Sequence, residues 1–101
     1  MPQIGDAINA VTSSSPRTFT VTSSSQLVLA ANPARAGLSV INDSGVEIYL
    51  GLAQAAAVGS DISLYPGGGS WDGRVSQLVW TGAVYAIAAS GSSNNLCVVE
   101  V

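Results

Sequence analysis

The chain has 101 residues, of which 48% are hydrophobic and 9% are charged, whereas charged residues make up ~25% of an ordinary soluble domain. This length supports one hydrophobic core, and the net charge is −3 with only Arg17, Arg35 and Arg74 as cations. Nucleic acid and anionic membranes are therefore not expected as partners, because no basic stripe is present. So few charges also favour association between copies, and we expect a homo-oligomer.

The first part of the chain is predicted to be an extended N-terminal arm, residues 1–16, ahead of a single β-sandwich domain at residues 17–101. The arm is polar apart from Ile4, Ile8 and Val11. A segment without a core of its own must lie against its own sheet or against a neighbouring subunit, and both alternatives stay open. The arm has neither a basic n-region nor an apolar h-region, which predicts that the protein is not secreted.

The rest of the chain consists of short segments in which apolar and polar side chains alternate, separated by turn residues. Such segments occur at residues 18–22, 26–30, 38–41, 46–50, 61–65, 74–80, 83–89 and 96–101. About eight short strands with turns every ~8–12 residues predict an all-β fold, a small antiparallel β-sandwich or barrel. Residues 51–59 contain helix formers but are too few for a stable helix, so we expect a loop with at most one helical turn.

Residues 31–52 give the clearest strand signal. Two runs rich in β-branched residues, 38–41 and 46–50, flank the turn formers of 42–45, which predicts a β-hairpin. The first strand and the C-terminal strand are expected at sheet edges, open to the arm or to another subunit. Phe19, Trp80 and Tyr85 alternate with small residues and are predicted to pack in the core.

The polar residues do not suggest catalysis. The chain has no histidine, and its one cysteine, Cys97, lies in an apolar run where a buried thiol is expected, so the usual nucleophilic triads are missing. The acids are scattered over turns and strand ends, and no zinc or calcium pattern occurs. We therefore expect no enzymatic activity, no metal and no cofactor. Arg35 is placed for an ion pair or a subunit contact, with a solvated side chain as the plainer alternative.

The glycine-rich run 66–70 is followed by Trp71 and Asp72, which raise the alternative of a sugar-binding surface. An exposed aromatic ring beside an acid offers a stacking face and a hydrogen-bond acceptor, and Asn94 and Asn95 add amide groups. A tryptophan after a long turn is more often a plug at one end of a small sandwich. The sequence leaves both interpretations open.

Several of these pieces together resemble a pattern found in small structural proteins of tailed bacteriophages. They are residues 29–38 (LAANPARAGL), 41–44 (INDS), 48–51 (IYLG), 64–71 (LYPGGGSW) and 82–91 (GAVYAIAASG). The resemblance spans roughly residues 26–101 and leaves the arm unmatched. It implies a β-sandwich that serves in the virion as a capsid decoration or cement protein, or as a module of head fibres and tail parts. It brings no catalytic residues.

The resemblance implies a head decoration protein that binds the capsid exterior and stabilises capsomer contacts. The expected partners are the major capsid protein or other virion proteins. Ile4, Ile8, Val11 and Arg35 are then candidate contacts with a subunit or with the capsid. The expected location is the virion, after synthesis in the cytoplasm of the bacterial host. The alternative is a carbohydrate- or receptor-binding module of a fibre or tail part, which would bind a host glycan through Trp71, Asp72, Asn94 and Asn95.

Overall fold

The computed structural model describes residues 15–59 and 62–101, and those residues form ten β-strands. The strands are β1 Ser15–Val21, β2 Gln26–Leu29, β3 Leu38–Asn42, β4 Ile48–Leu52, β5 Ile62–Leu64, β6 Ser70–Trp71, β7 Arg74–Val75, β8 Leu78–Val79, β9 Val84–Ala88 and β10 Asn94–Glu100. The all-β prediction is confirmed. The loop that follows β4, residues 53–59, contains bends and a turn but no helix.

Eight of the strands form two antiparallel sheets. The first sheet has the order β1-β10-β3-β6 and the second β2-β9-β4-β5, while β7 and β8 form a small separate hairpin. Numbered without that hairpin, the sheet strands run 1-8-3-6 and 2-7-4-5. This is the strand order of a jelly roll, a sandwich built from two Greek keys.

The core lies between the two sheets, because alternate residues of each strand point inward. Burial alternates residue by residue along β3, β9 and most of β10. The buried hydrophobic cluster consists of Val21, Val28, Leu29, Leu38, Val40, Ile48, Leu50, Leu64, Val84, Ala86, Ala88, Leu96 and Val98. Phe19 and Trp80 pack against this cluster, as predicted.

The predicted hairpin of residues 31–52 is wrong. Its two strands exist, but β3 pairs with β10 and β6, whereas β4 pairs with β9 and β5 in the other sheet. Each strand buries its own inward face, so the intervening turn crosses the sandwich. The Asn42 side chain holds this crossing, since its Nδ2 donates to the carbonyl oxygens of Val46 at 2.8 Å and Leu64 at 2.9 Å.

Other strand predictions are corrected in detail. Residues 74–80 form the β7–β8 hairpin and not one strand. The short strand β6 was not predicted, and β1 already includes Ser15 and Pro16, which were assigned to the arm. The first strand is at an edge as expected, but the C-terminal strand β10 is central, between β1 and β3.

Polar side chains occupy both ends of the sandwich. At one end, Asn42 is fully buried, and Asn94 donates from its Nδ2 to the carbonyl oxygens of Val21 at 3.0 Å and Ser90 at 2.8 Å. The opposite end holds Arg35 and Glu100. Among the described residues, every buried polar side chain at these ends has a partner, so hydrogen bonds offset the cost of desolvating these groups.

Candidate functional site

Arg35 is buried and connects separate segments of the chain by hydrogen bonds. Its residue is 4% exposed and its side chain 0% exposed. The Nε group donates to Glu100 Oε2 at 2.7 Å, and the two Nη groups donate to the carbonyl oxygens of Trp80, Gly82 and Ala30 at 2.8, 3.0 and 2.9 Å. The expected ion pair is therefore confirmed, whereas the solvated alternative is wrong. With no exposed surface, the Arg35 side chain cannot supply a subunit or capsid contact in this conformation.

Glu100 is the centre of this polar network. Its Oε1 accepts from the exposed Arg17 at 2.7 Å, and its Oε2 also accepts from Asn32 Nδ2 at 3.2 Å. The hydrogen bond from Arg35 is the main cause that lowers the pKa of the Glu100 carboxyl, against an opposing effect of burial. These contacts tie together β1, β10 and the turn before β3, so the network serves stability.

The first candidate surface is a hollow on the outside of the first sheet, beside its edge strand β1. Its volume is about 280 Å³, and it is lined by Pro16, Arg17, Thr18, Cys97, Val98 and Val99. Cys97 is half-buried on this outer face and not in the core as predicted. The hollow lies at the beginning of the described chain. The candidate arm contacts Ile4, Ile8 and Val11 lie outside the described residues.

The second candidate set does not form one surface. Trp71 is half-buried against the core, and its Nε1 donates to the carbonyl oxygen of Arg74 at 3.1 Å. Asn94 is buried in the fold, and Asn95 donates to Asp43 Oδ2 at 3.2 Å. In the register of the first sheet, Trp71 is opposite Val40 in the middle of β3, whereas Asn95 is opposite Thr20 and lies beyond the Asn42 end of β3. Trp71 and Asp72 are thus separated from Asn94 and Asn95.

The outer face of the second sheet carries aromatic side chains that the sequence did not reveal as a group. Tyr85 is opposite Leu27 on one side and Gly51 on the other, and Tyr49 is opposite Ile87 and Ser63. Tyr85 is half-buried on this outer face and not in the core as predicted. Tyr65 follows the inward Leu64 and is 70% exposed. Alternation in β4 and β9 was the only available signal, and it did not say which face was inward.

The β7–β8 hairpin is a third exposed feature. Val75 is 42% and Leu78 is 74% exposed. Its two-residue turn, Ser76-Gln77, has φ angles of 51° and 71°, which is the type I′ geometry that usually requires Asn-Gly. The sequence placed this turn inside a continuous strand because neither residue is one of the Asn, Asp or Gly residues that type I′ turns favour.

Among residues 15–59 and 62–101, no three His, Cys, Asp or Glu side chains are grouped to hold a metal ion. In the same part of the chain, no helix is long and apolar enough to cross a membrane. No protein-family model, curated protein or solved structure matches the chain.

Proposed function

We propose that this protein is a structural component of a tailed-bacteriophage virion, a head decoration protein that binds the capsid exterior and acts by binding and not by catalysis. The sequence resemblance described above suggests the setting. A jelly-roll sandwich is compatible with it, since viral capsid domains are among the proteins that use this architecture, although lectins and enzymes use it too.

The observation that carries the proposal is the position of the apolar hollow beside β1. Within residues 15–59 and 62–101, β1 is an edge strand of seven residues, and no other strand pairs with one side of its backbone. Pro16, Cys97 and Val99 line the hollow. In the sequence, Pro16 comes shortly after residues 1–14, which include Ile4, Ile8 and Val11. An open strand edge next to an apolar hollow suits the docking of another virion protein or a second copy.

The first experiment measures whether the protein is a virion component. Quantitative mass spectrometry of purified virions should find it in a copy number comparable to that of the major capsid protein. A few copies per particle would indicate a tail or fibre part in place of a decoration protein. If the chain is absent from virions, the proposal is wrong.

The second experiment tests the arm with matched variants. Replacing Ile4, Ile8 and Val11 with serine should leave the thermal midpoint of unfolding unchanged and weaken binding to capsids that lack the protein by at least tenfold. The control replaces the polar Gln3, Asn9 and Thr12 with serine and should bind normally. Equal binding of both variants would remove the arm from the proposed contact.

A further inference from the structure

The three tyrosines of the chain follow one diagonal of the outer face of the second sheet, with Tyr85 on β9, Tyr49 on β4 and Tyr65 directly after β5. Tyr49 on β4 is opposite Ile87, so Tyr85 is its diagonal neighbour on β9. On the other side, Tyr49 is opposite Ser63, and Tyr65 follows two residues later. The two diagonals run in the same direction across the sheet. Diagonal cross-strand neighbours in a sheet are ordinarily about 7–8 Å apart.

The middle of this tyrosine row carries a fixed group of polar atoms. The Glu47 carboxylate accepts a hydrogen bond from Ser63 Oγ and lies near Tyr49. Burial is the largest cause that raises the pKa of Tyr49, and the neighbouring Glu47 and Tyr65 add to it. The phenol therefore stays neutral, with an oxygen that can accept a hydrogen bond beside a carboxylate that can accept more.

The loop after β4 borders one end of the tyrosine row. Residues 53–57 fold back over Gly51, where a Cβ atom would meet the amide nitrogen of Ala56 at 2.8 Å. The Ala56 amide in turn donates to Ser25 Oγ at 2.8 Å, so the loop spans from β4 toward β2. The Tyr65 end is open, because β5 is an edge strand of only three residues.

The charges on this face select the kind of ligand. Among the described residues, Glu47 is the charged side chain on the outer face of the second sheet. The three cations of the chain lie elsewhere: Arg17 is on β1, Arg35 is inside the fold and Arg74 is on β7. An acidic face without a cation repels nucleic acids, anionic lipids and acidic glycans. Neutral ligands that offer hydroxyl donors to a carboxylate are not repelled.

From this geometry we infer that the tyrosine row binds a linear, neutral polysaccharide. The C–H groups on one face of a sugar ring match the negative face of an aromatic ring, and evenly spaced rings suit a ligand that is itself a chain. The hydroxyl groups of the sugar would donate to Glu47, which fixes the orientation of the chain on the sheet. This site is separate from the proposed capsid-docking hollow, which lies on the first sheet, so either proposal can fail without the other.

The test titrates the full chain with neutral glucose, mannose, galactose, xylose and N-acetylglucosamine oligomers of increasing length, followed by calorimetry and by saturation-transfer NMR. At least one series should bind, with affinity rising with length as further tyrosines are reached. Tyr65→Ala should weaken that binding about tenfold and leave the thermal midpoint unchanged, because Tyr65 is 70% exposed. Tyr65→Phe keeps the ring and should retain most of the affinity.

The matched control is Leu78→Ala, which removes an equally exposed apolar side chain, 74% exposed, from the β7–β8 hairpin. It should bind the oligomers like the unmodified protein. Absence of binding to every series at millimolar concentration would overturn the inference, as would equal losses in Tyr65→Ala and Leu78→Ala. Sedimentation of the same samples tests the alternative that a second copy of the chain occupies the tyrosine row. If Tyr65→Ala only converts an oligomer to a monomer, the row is a contact between copies and the inference is wrong.

Discussion

Glu100→Gln tests whether the buried ion pair between Arg35 and Glu100 stabilises the fold. The Arg35 side chain is 0% and the Glu100 side chain 11% exposed, so the substitution leaves a guanidinium buried without its counter-charge. Breaking a buried pair from one side costs about 3–5 kcal/mol. A glutamine oxygen can still accept the Nε hydrogen bond, which returns about 1 kcal/mol. We expect the free energy of unfolding to fall by about 3 kcal/mol.

Urea unfolding followed by circular dichroism measures this loss. With an m-value of about 1.5 kcal/mol/M, the midpoint should fall by about 2 M. The control is Arg17→Gln, which removes the other cation of the same carboxylate. Because the Arg17 side chain is 46% exposed, its pair should contribute less than about 1 kcal/mol. If the two variants lose equal stability, the buried half of the network has no special role and the reasoning is refuted.

Three further predictions concern pH and backbone geometry. Because the pKa of Glu100 is lowered in the folded state, its stabilisation should be complete above the usual carboxyl range of about 4 and should disappear as pH falls through the lowered pKa; parallel pH–stability profiles for the unmodified protein and Glu100→Gln would contradict this. Gly73→Ala should lower the free energy of unfolding by about 3 kcal/mol, because Gly73 has a φ of +73° and a Cβ would meet the Leu38 carbonyl oxygen at 2.8 Å. Gly59→Ala should lower it by only about 1 kcal/mol, because Gly59 has a similar φ of +82° but open space around it. Calorimetry measures both losses. Replacing Ser76-Gln77 with Asn-Gly should raise the thermal midpoint by a few degrees, and no increase would mean that the type I′ turn is unstrained.

The sequence predicted local structure well because alternation acts over a few residues. Strands at residues 38–42 and 84–88 follow from the period of two, and the structure has strands with alternating burial there. The face of β9 that carries Tyr85 was predicted to be inward and is the outer one. Which strands pair could not be predicted, since a turn within one sheet and a turn between sheets use the same residues. The turn after Asn42 crosses the sandwich because its side chain reaches Leu64, 22 residues away in the sequence.

The Arg35 network and the tyrosine row were harder to predict, because both depend on residues that are far apart in the sequence. Arg35 is buried because Glu100 and three carbonyl groups surround it, and its acidic partner is 65 residues away in the sequence. The tyrosine row depends on the register of three strands, which single residues do not reveal. Asn94 and Asn95 are adjacent in the sequence, yet one is buried and the other half-buried, because successive strand residues point to opposite faces.

The strand order also constrains how the chain can fold during synthesis. β9 is central in the second sheet and β10 is central in the first, and of the ten described strands these two are synthesised last. Until residues 84–100 emerge, each sheet lacks the strand that joins its edge strand, β1 or β2, to the other two, and the earlier strands expose unpaired backbone edges. The sandwich therefore cannot close before these residues are available, and its folding is governed by long-range pairing, which is slow. A nascent or truncated chain without its last strands has two sheets that cannot close, and aggregation competes directly with assembly.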